Sequence, residues 1–178
     1  MASVFEGKPQ VLRYWDNSES KFVDLVSSVD QPCDGVTSFG TVGLSDFPFI
    51  QDGKEFPARL EIVGAVESDT AFFAEILTTA AFQVMNQQWF CCPGSILQNV
   101  IDMYIPSIEM KHLLFTSPFL WDDFSSTDFD DITVAWLLAI PISDNEKKYA
   151  DVNGYEKLEE LFEEKEIDIY DLNRSSIL

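Results

Sequence analysis

Three groups of residues in this chain have types and spacing that could do chemistry. The first is GVTSFGTVGLSDFPF, residues 35 to 49, where Gly35, Gly40 and Gly43 stand among Thr, Ser and Asp. Glycine-rich loops cradle phosphates when their backbone N–H groups converge on one point. The interval from Gly35 to Gly40 matches a Walker loop, but Thr41 stands where that loop needs lysine. A dinucleotide fingerprint would open a helix, whereas the residues after Gly43 are LSDFPF, with Pro48 and no helical stripe. In so β-branched and aromatic a run, the glycines read instead as marks of a bulge or a close backbone approach within a strand.

The second group is Cys91, Cys92 and the single histidine, His112. A thiol, an imidazole and any of the carboxylates could form a nucleophilic triad. With 31 acidic residues in the chain, the third member comes too easily to be a signal. In MKHLLF, His112 flanks an apolar strand, which favours a hydrogen-bonded structural role. Adjacent cysteines would close a strained disulfide ring and lack the Cys-x-x-Cys bite of zinc sites. With Cys33 they read as buried or half-buried thiols packed as small hydrophobes, with no metal and no cofactor expected.

The third group is FLWDDFSSTDFDD, residues 119 to 131. The calcium-loop spacing of an EF-hand, with its glycine and distal glutamate, is missing. Aromatic anchors within a charged rim are what protein interfaces use. Trp121, Asp122, Asp123, Asp128, Asp130 and Asp131 are therefore the candidate partner-binding residues. The alternative is a solvated loop whose aromatics fold back on the core.

Bulk composition narrows the partner. Thirty-one acids against eleven bases give a formal net charge of −20. Between Leu60 and Ile140 eleven acids face Lys111 alone, a local net of −10. Such a surface suits neither nucleic acid nor an anionic membrane; it reads either as ordinary solubilising charge or as an acidic face that docks on a basic protein and speeds encounter with it. No run approaches the ~20 apolar residues of a membrane span, and MASVFEGKPQ does not read as a signal peptide. A cytoplasmic protein is expected, with residues 1–178 as one domain, since no linker, repeat or low-complexity segment divides them.

Elements must position these groups. VLRYWD, KFVDLVSSV and GVTSFGTVGL read as successive strands, and ARLEIVGAV alternates like a half-buried one. Asp52-Gly53 marks a turn. SDTAFFAEILTTAAFQVMNQQ carries a helical stripe, with Ser68 or Asp69 as its cap. NVIDMYI and KHLLFTSPF read as extended, and ITVAWLLAIPI as a central strand buried on both faces. Ser143 to Glu146 is a capping-box pattern, Asn153-Gly154 a helix stop, and YEKLEELFEEKE a helix with Leu158, Leu161 and Phe162 inward. The sum is an α+β fold, one mixed or mainly antiparallel sheet of six or seven strands with about three packed helices.

In order, SFGTVGLSDFPF, RLEIVGAV, WFCCPGSIL, MKHLLFTSPFLWDDF, TVAWLLAIPIS and NGYEKLEELFEEKEIDIYDLNRSSIL resemble the suppressor of fused family, in particular its compact bacterial members. The resemblance covers about residues 33 to 178. It implies an α+β domain with a binding role and no catalysis. It also implies a protein partner, since bacterial members are read as immunity proteins that neutralise a toxin encoded beside them, plausibly a cationic nuclease. The alternatives are a module that binds a peptide or regulator at a sheet edge, and less favourably the Cys-His enzyme.

Overall fold

The computed structural model describes residues 2–121, 124–129 and 132–178. A short helix α1 (Ala2–Phe5) leads into strands β1 (Gln10–Trp15), β2 (Phe22–Val29) and β3 (Val36–Val42). A hairpin of β4 (Ile50–Gln51) and β5 (Lys54–Glu55) turns at Asp52-Gly53, and β6 (Ala58–Glu67) follows. Then come α2 (Phe73–Gln87), β7 (Ile96–Leu97), β8 (His112–Thr116), β9 (Thr127–Phe129) and β10 (Ile132–Ile142). Helices α3 (Asp144–Asn153) and α4 (Tyr155–Glu164) close the order. The main sheet runs β1-β2-β3-β6-β10-β8-β7, with β9 paired to β10. Strands β6 and β10 are parallel, Thr133 opposite Ala58 and Leu138 opposite Val63, and the other described pairs are antiparallel. This is the mixed α+β sheet expected, with more short strands than the sequence shows.

Burial explains the order. Ile132–Ile142 is nearly continuous in apolar residues, as a strand covered on both faces must be. Its neighbour β6 is not half-buried: every residue from Leu60 to Val66 is buried, including Glu61. One face packs Leu60, Ile62, Leu137 and Ala139 against Ile76, Leu77 and Ala80 of α2. The other packs Val63, Leu138 and Ile140 against Leu158 and Phe162 of α4, with Phe5 and Trp121. A strand between two layers must carry apolar residues outward in both directions, so alternation disappears.

Two local expectations fail for identifiable reasons. The segment NVIDMYI is a set of turns, with Asn99 at φ 57°, Tyr104 N–H and Ile105 N–H bonded to the Ile101 carbonyl, and Pro106 at its end. The start of α2 is not capped by Ser68 or Asp69; Phe72 holds the left-handed N-cap position without a side-chain bond. Ser68 instead bonds Thr37 and the Gly35 carbonyl, tying β3 to the end of β6. The capping box at Ser143 forms as read, its hydroxyl accepting from Glu146 N–H and its own N–H donating to Glu146.

Candidate functional site

On the second sheet face, the end of β8, the chain after it and α4 enclose a groove of about 800 Å³. Its construction begins at Gly154, whose φ of 91° breaks the chain between α3 and α4. Leu158 and Phe162 of α4 then turn to the sheet, and the next stripe of the helix faces the groove. That stripe carries Glu156, Glu159, Glu160 and Glu163, and Glu166 continues it. Phe119, Ile140, Tyr155, Phe162, Ile167 and Ile169 supply apolar lining, and Phe119 is 58% exposed. The lining holds no Lys or Arg. Among the described residues the sole ion pair to these glutamates is the exposed Lys157–Glu160 contact at 2.5 Å. Thr116 donates to Glu159 and so ties α4 to the end of β8. Burial first, then the charges of Glu156 and Glu159, raise the Tyr155 phenol above its ordinary pKa. Tyr155 packs closely on Gly94: a Cβ there, at φ 87°, would lie 2.5 Å from the Tyr155 ring.

A buried lock holds α4 in place. Arg174 donates to both carboxylate oxygens of Glu146, at 2.6 and 2.9 Å, and to the Pro141 carbonyl at 3.0 Å. Glu146 is fully buried and Arg174 nearly so, and the guanidinium lies 5.3 Å from the Phe162 ring centroid. The C-terminal segment thereby clamps the end of β10, the start of α3 and the floor of the groove together.

The acidic segment after Phe119 is described in part. Trp121 is a core residue, 7% exposed, packed on Phe5 and Phe124, with its indole N–H donating to Ser38. It therefore anchors the segment from beneath. Asp128 is exposed on β9, where it accepts from Thr133. Asp122, Asp123, Asp130 and Asp131 lie outside the described residues. The exposed aromatics that the segment does present are Phe119 and Phe129.

The glycine-rich stretch does cradle an acidic group, and that group is the protein's own Glu61 carboxyl. Gly43, at φ 99°, turns its N–H toward Glu61 Oε1 at 2.9 Å; Ser45 donates to the same oxygen from N–H and hydroxyl at 3.0 and 2.7 Å. Thr41 donates to Oε2 at 2.6 Å and accepts from Ile62 N–H, replacing a ladder bond where β3 leaves β6. The donors of Thr41, Gly43 and Ser45 are thereby occupied. Burial pushes the Glu61 carboxyl up, against the Thr41 and Ser45 bonds that favour its anion. Glu61 carries no signal in the sequence, because the alternation of ARLEIVGAV places it on the solvent face of a half-buried strand, whereas β6 is buried on both faces.

The thiol and imidazole groups are committed elsewhere. Asn99 N–H donates to His112 Nδ1 at 2.9 Å, so the ring proton sits on Nε2 and donates to Asp144 at 3.0 Å. Lys111 holds the other Asp144 oxygen at 2.7 Å, and with His112 it lowers that carboxyl's pKa. Neither ring nitrogen is left to serve as a base. Burial raises the Cys91 thiol well above its ordinary pKa, with the neighbouring Cys92 adding to the effect. Among the described residues no group of three or more His, Cys, Asp or Glu could hold a metal ion. None of the helices described is long and apolar enough to cross a membrane.

The structure is thus an open mixed sheet with α2 on one face, α4 on the other and an acid-lined groove along α4. Residues 20–175 match the family model for Suppressor of fused protein (SUFU), and the chain belongs to that family. It is 42% identical over 176 residues to "Immunity protein YqcF" of Bacillus subtilis (strain 168), covering 98% of this chain and 92% of that one. A SUFU homologue of Neisseria gonorrhoeae FA 1090 superposes with a TM-score of 0.73 at 17% identity, over 96% of this chain and 88% of the other. Drosophila Suppressor of Fused aligns with a TM-score of 0.58 at 12% identity, over 94% of this chain but 42% of that one. The family and its bacterial immunity-protein relative point to protein binding without catalysis.

Proposed function

We propose that this chain is a cytoplasmic immunity protein, acting as one domain over residues 1–178, that neutralises a toxin by binding it. The observation that carries the reading is the 42% identical immunity protein, matched over nearly the whole of both chains. A net charge of −20 supports a cationic partner, because a cleft built for phosphates accepts carboxylates. A nuclease domain is the toxin class with such a cleft. Asp122, Asp123, Asp128, Asp130 and Asp131 are the proposed contacts, with Trp121 holding their segment to the core. The test is protection. Cells expressing the toxin from the adjacent reading frame should survive when this chain is co-expressed, and the two should co-purify. Death at equal expression, with no complex recovered, contradicts the proposal.

A second reading has one specific support. Strand β1 is a sheet edge, exposed along most of its length, with Val11 and Leu12 both 60% exposed. A regulator peptide could add there as another strand. Proline at Val11, whose N–H faces away from β2, would remove one edge N–H and abolish that mode while leaving a side-chain-mediated complex intact.

A further inference from the structure

We propose that the groove along α4 receives a cationic amphipathic segment of a protein partner, an apolar side chain on its floor and Lys or Arg at its rim. The proposal rests on the immunity-protein reading and adds the α4 groove to the contacts proposed above. Three observations converge on this occupant. The floor is apolar and open, with Phe119 more than half exposed at one side, so an unfilled groove leaves hydrophobic surface in water. The rim carries one sign of charge only: Glu156, Glu159, Glu163 and Glu166 have no Lys or Arg partner among the described residues. The wall is preformed, since Arg174 stacks behind Phe162 and Thr116 holds Glu159, so little ordering is left for the binding step.

Apolar floor and acidic rim select together. A purely apolar segment would bury the rim carboxylates unpaired, and a purely polar one would leave the floor wet. An acidic or nucleic-acid partner would meet repulsion along the whole of α4. The groove follows a helix of 10 residues, about 15 Å long, so two to three turns of a partner helix or an equivalent loop would fill it.

The probe is a synthetic 18-residue leucine–lysine peptide with leucines at i, i+3, i+4 and i+7, used with the full chain. Titration at 20 and 200 mM salt should show 1:1 binding that weakens with salt. Hydrogen exchange should slow in residues 155–167. The variant Glu163→Lys/Glu166→Lys should lose at least tenfold in affinity. The control Asp34→Lys/Asp69→Lys, which changes net charge equally, should lose less than threefold. Phe119→Ser should raise the dissociation rate. Equal losses in the groove and control variants would show attraction to net charge alone and overturn the proposal, as would a failure of the wild type to bind. The toxin from the adjacent frame provides a second arm. Displacement of the peptide by toxin supports the groove as the neutralising face; a toxin complex formed without displacement overturns that assignment while leaving the immunity reading standing.

Discussion

Replacing Arg174 by methionine isolates the lock behind the groove. Methionine keeps an apolar side chain against Phe162 but removes every guanidinium bond. Glu146, fully buried, then loses two charge-assisted bonds and retains only the N–H groups of Ser143 at 2.9 Å and Ile177 at 3.3 Å. The Pro141 carbonyl loses a donor as well. Removing one partner from a buried pair costs about 3–5 kcal/mol, a large share of the ~5–15 kcal/mol that holds a domain folded. Urea unfolding followed by far-UV circular dichroism measures it. With a slope near ~2 kcal/mol per molar, the midpoint should fall by about 2 M. The double variant Glu146→Gln/Arg174→Met should recover most of the loss, because Gln preserves the capping box without a buried charge. A loss below about 1 kcal/mol in the single variant, or a double variant no better than the single, would refute the lock.

Further outcomes follow from other sites. Glu61→Ala strands the Gly43 and Ser45 N–H groups and should cost at least ~2 kcal/mol in the same assay, whereas Glu61→Gln keeps an acceptor at Oε1 and should cost less than half of that. Because burial raises the Glu61 pKa, the folded state holds its proton more tightly than the unfolded state; its contribution is full below the ordinary carboxylate range and is lost as pH rises through the folded value. Stability measured against pH should therefore slope less above pH 4.5 in Glu61→Gln than in wild type. Gly94→Ala forces a Cβ against Tyr155 at positive φ and should destabilise by roughly 1–3 kcal/mol while weakening peptide binding in the groove. Iodoacetamide at pH 8, read by mass spectrometry, should label exposed Cys33 first and spare Cys91 until unfolding.

The sequence carried the layers more clearly than the site. Period and composition are enough to identify β10 as the central strand, α4 as amphipathic and Ser143 as a cap, because each depends on neighbours within one or two turns. Glu61 was illegible for the opposite reason. Its donors come from residues 41 to 45, brought together where β3 diverges from β6, and no local pattern announces a carboxylate received by a distant turn. The start of α2 misled because Ser68 and Asp69 have the right chemistry for a cap, while Ser68 was taken by Thr37 across the sheet. The groove was half legible. Glu156, Glu159, Glu163 and Glu166 recur at helical spacing beside the Leu158–Phe162 stripe, yet a glutamate stripe reads as solvated until β8 and residues 117–119 are placed against it. Trp121 stands out in the sequence by its acidic neighbours, whereas its partner Ser38 lies in a strand far away in the chain.

Titration of toxin activity bears most directly on the central claim of neutralisation by binding alone. Purified toxin domain from the adjacent reading frame is mixed with increasing amounts of this protein, and residual activity is read at each ratio. Occupancy predicts a linear fall to zero at one equivalent, with full activity regained when the complex is dissociated at high salt. Inactivation at a few hundredths of an equivalent would reveal turnover, and unchanged activity past one equivalent would deny binding; either contradicts the account.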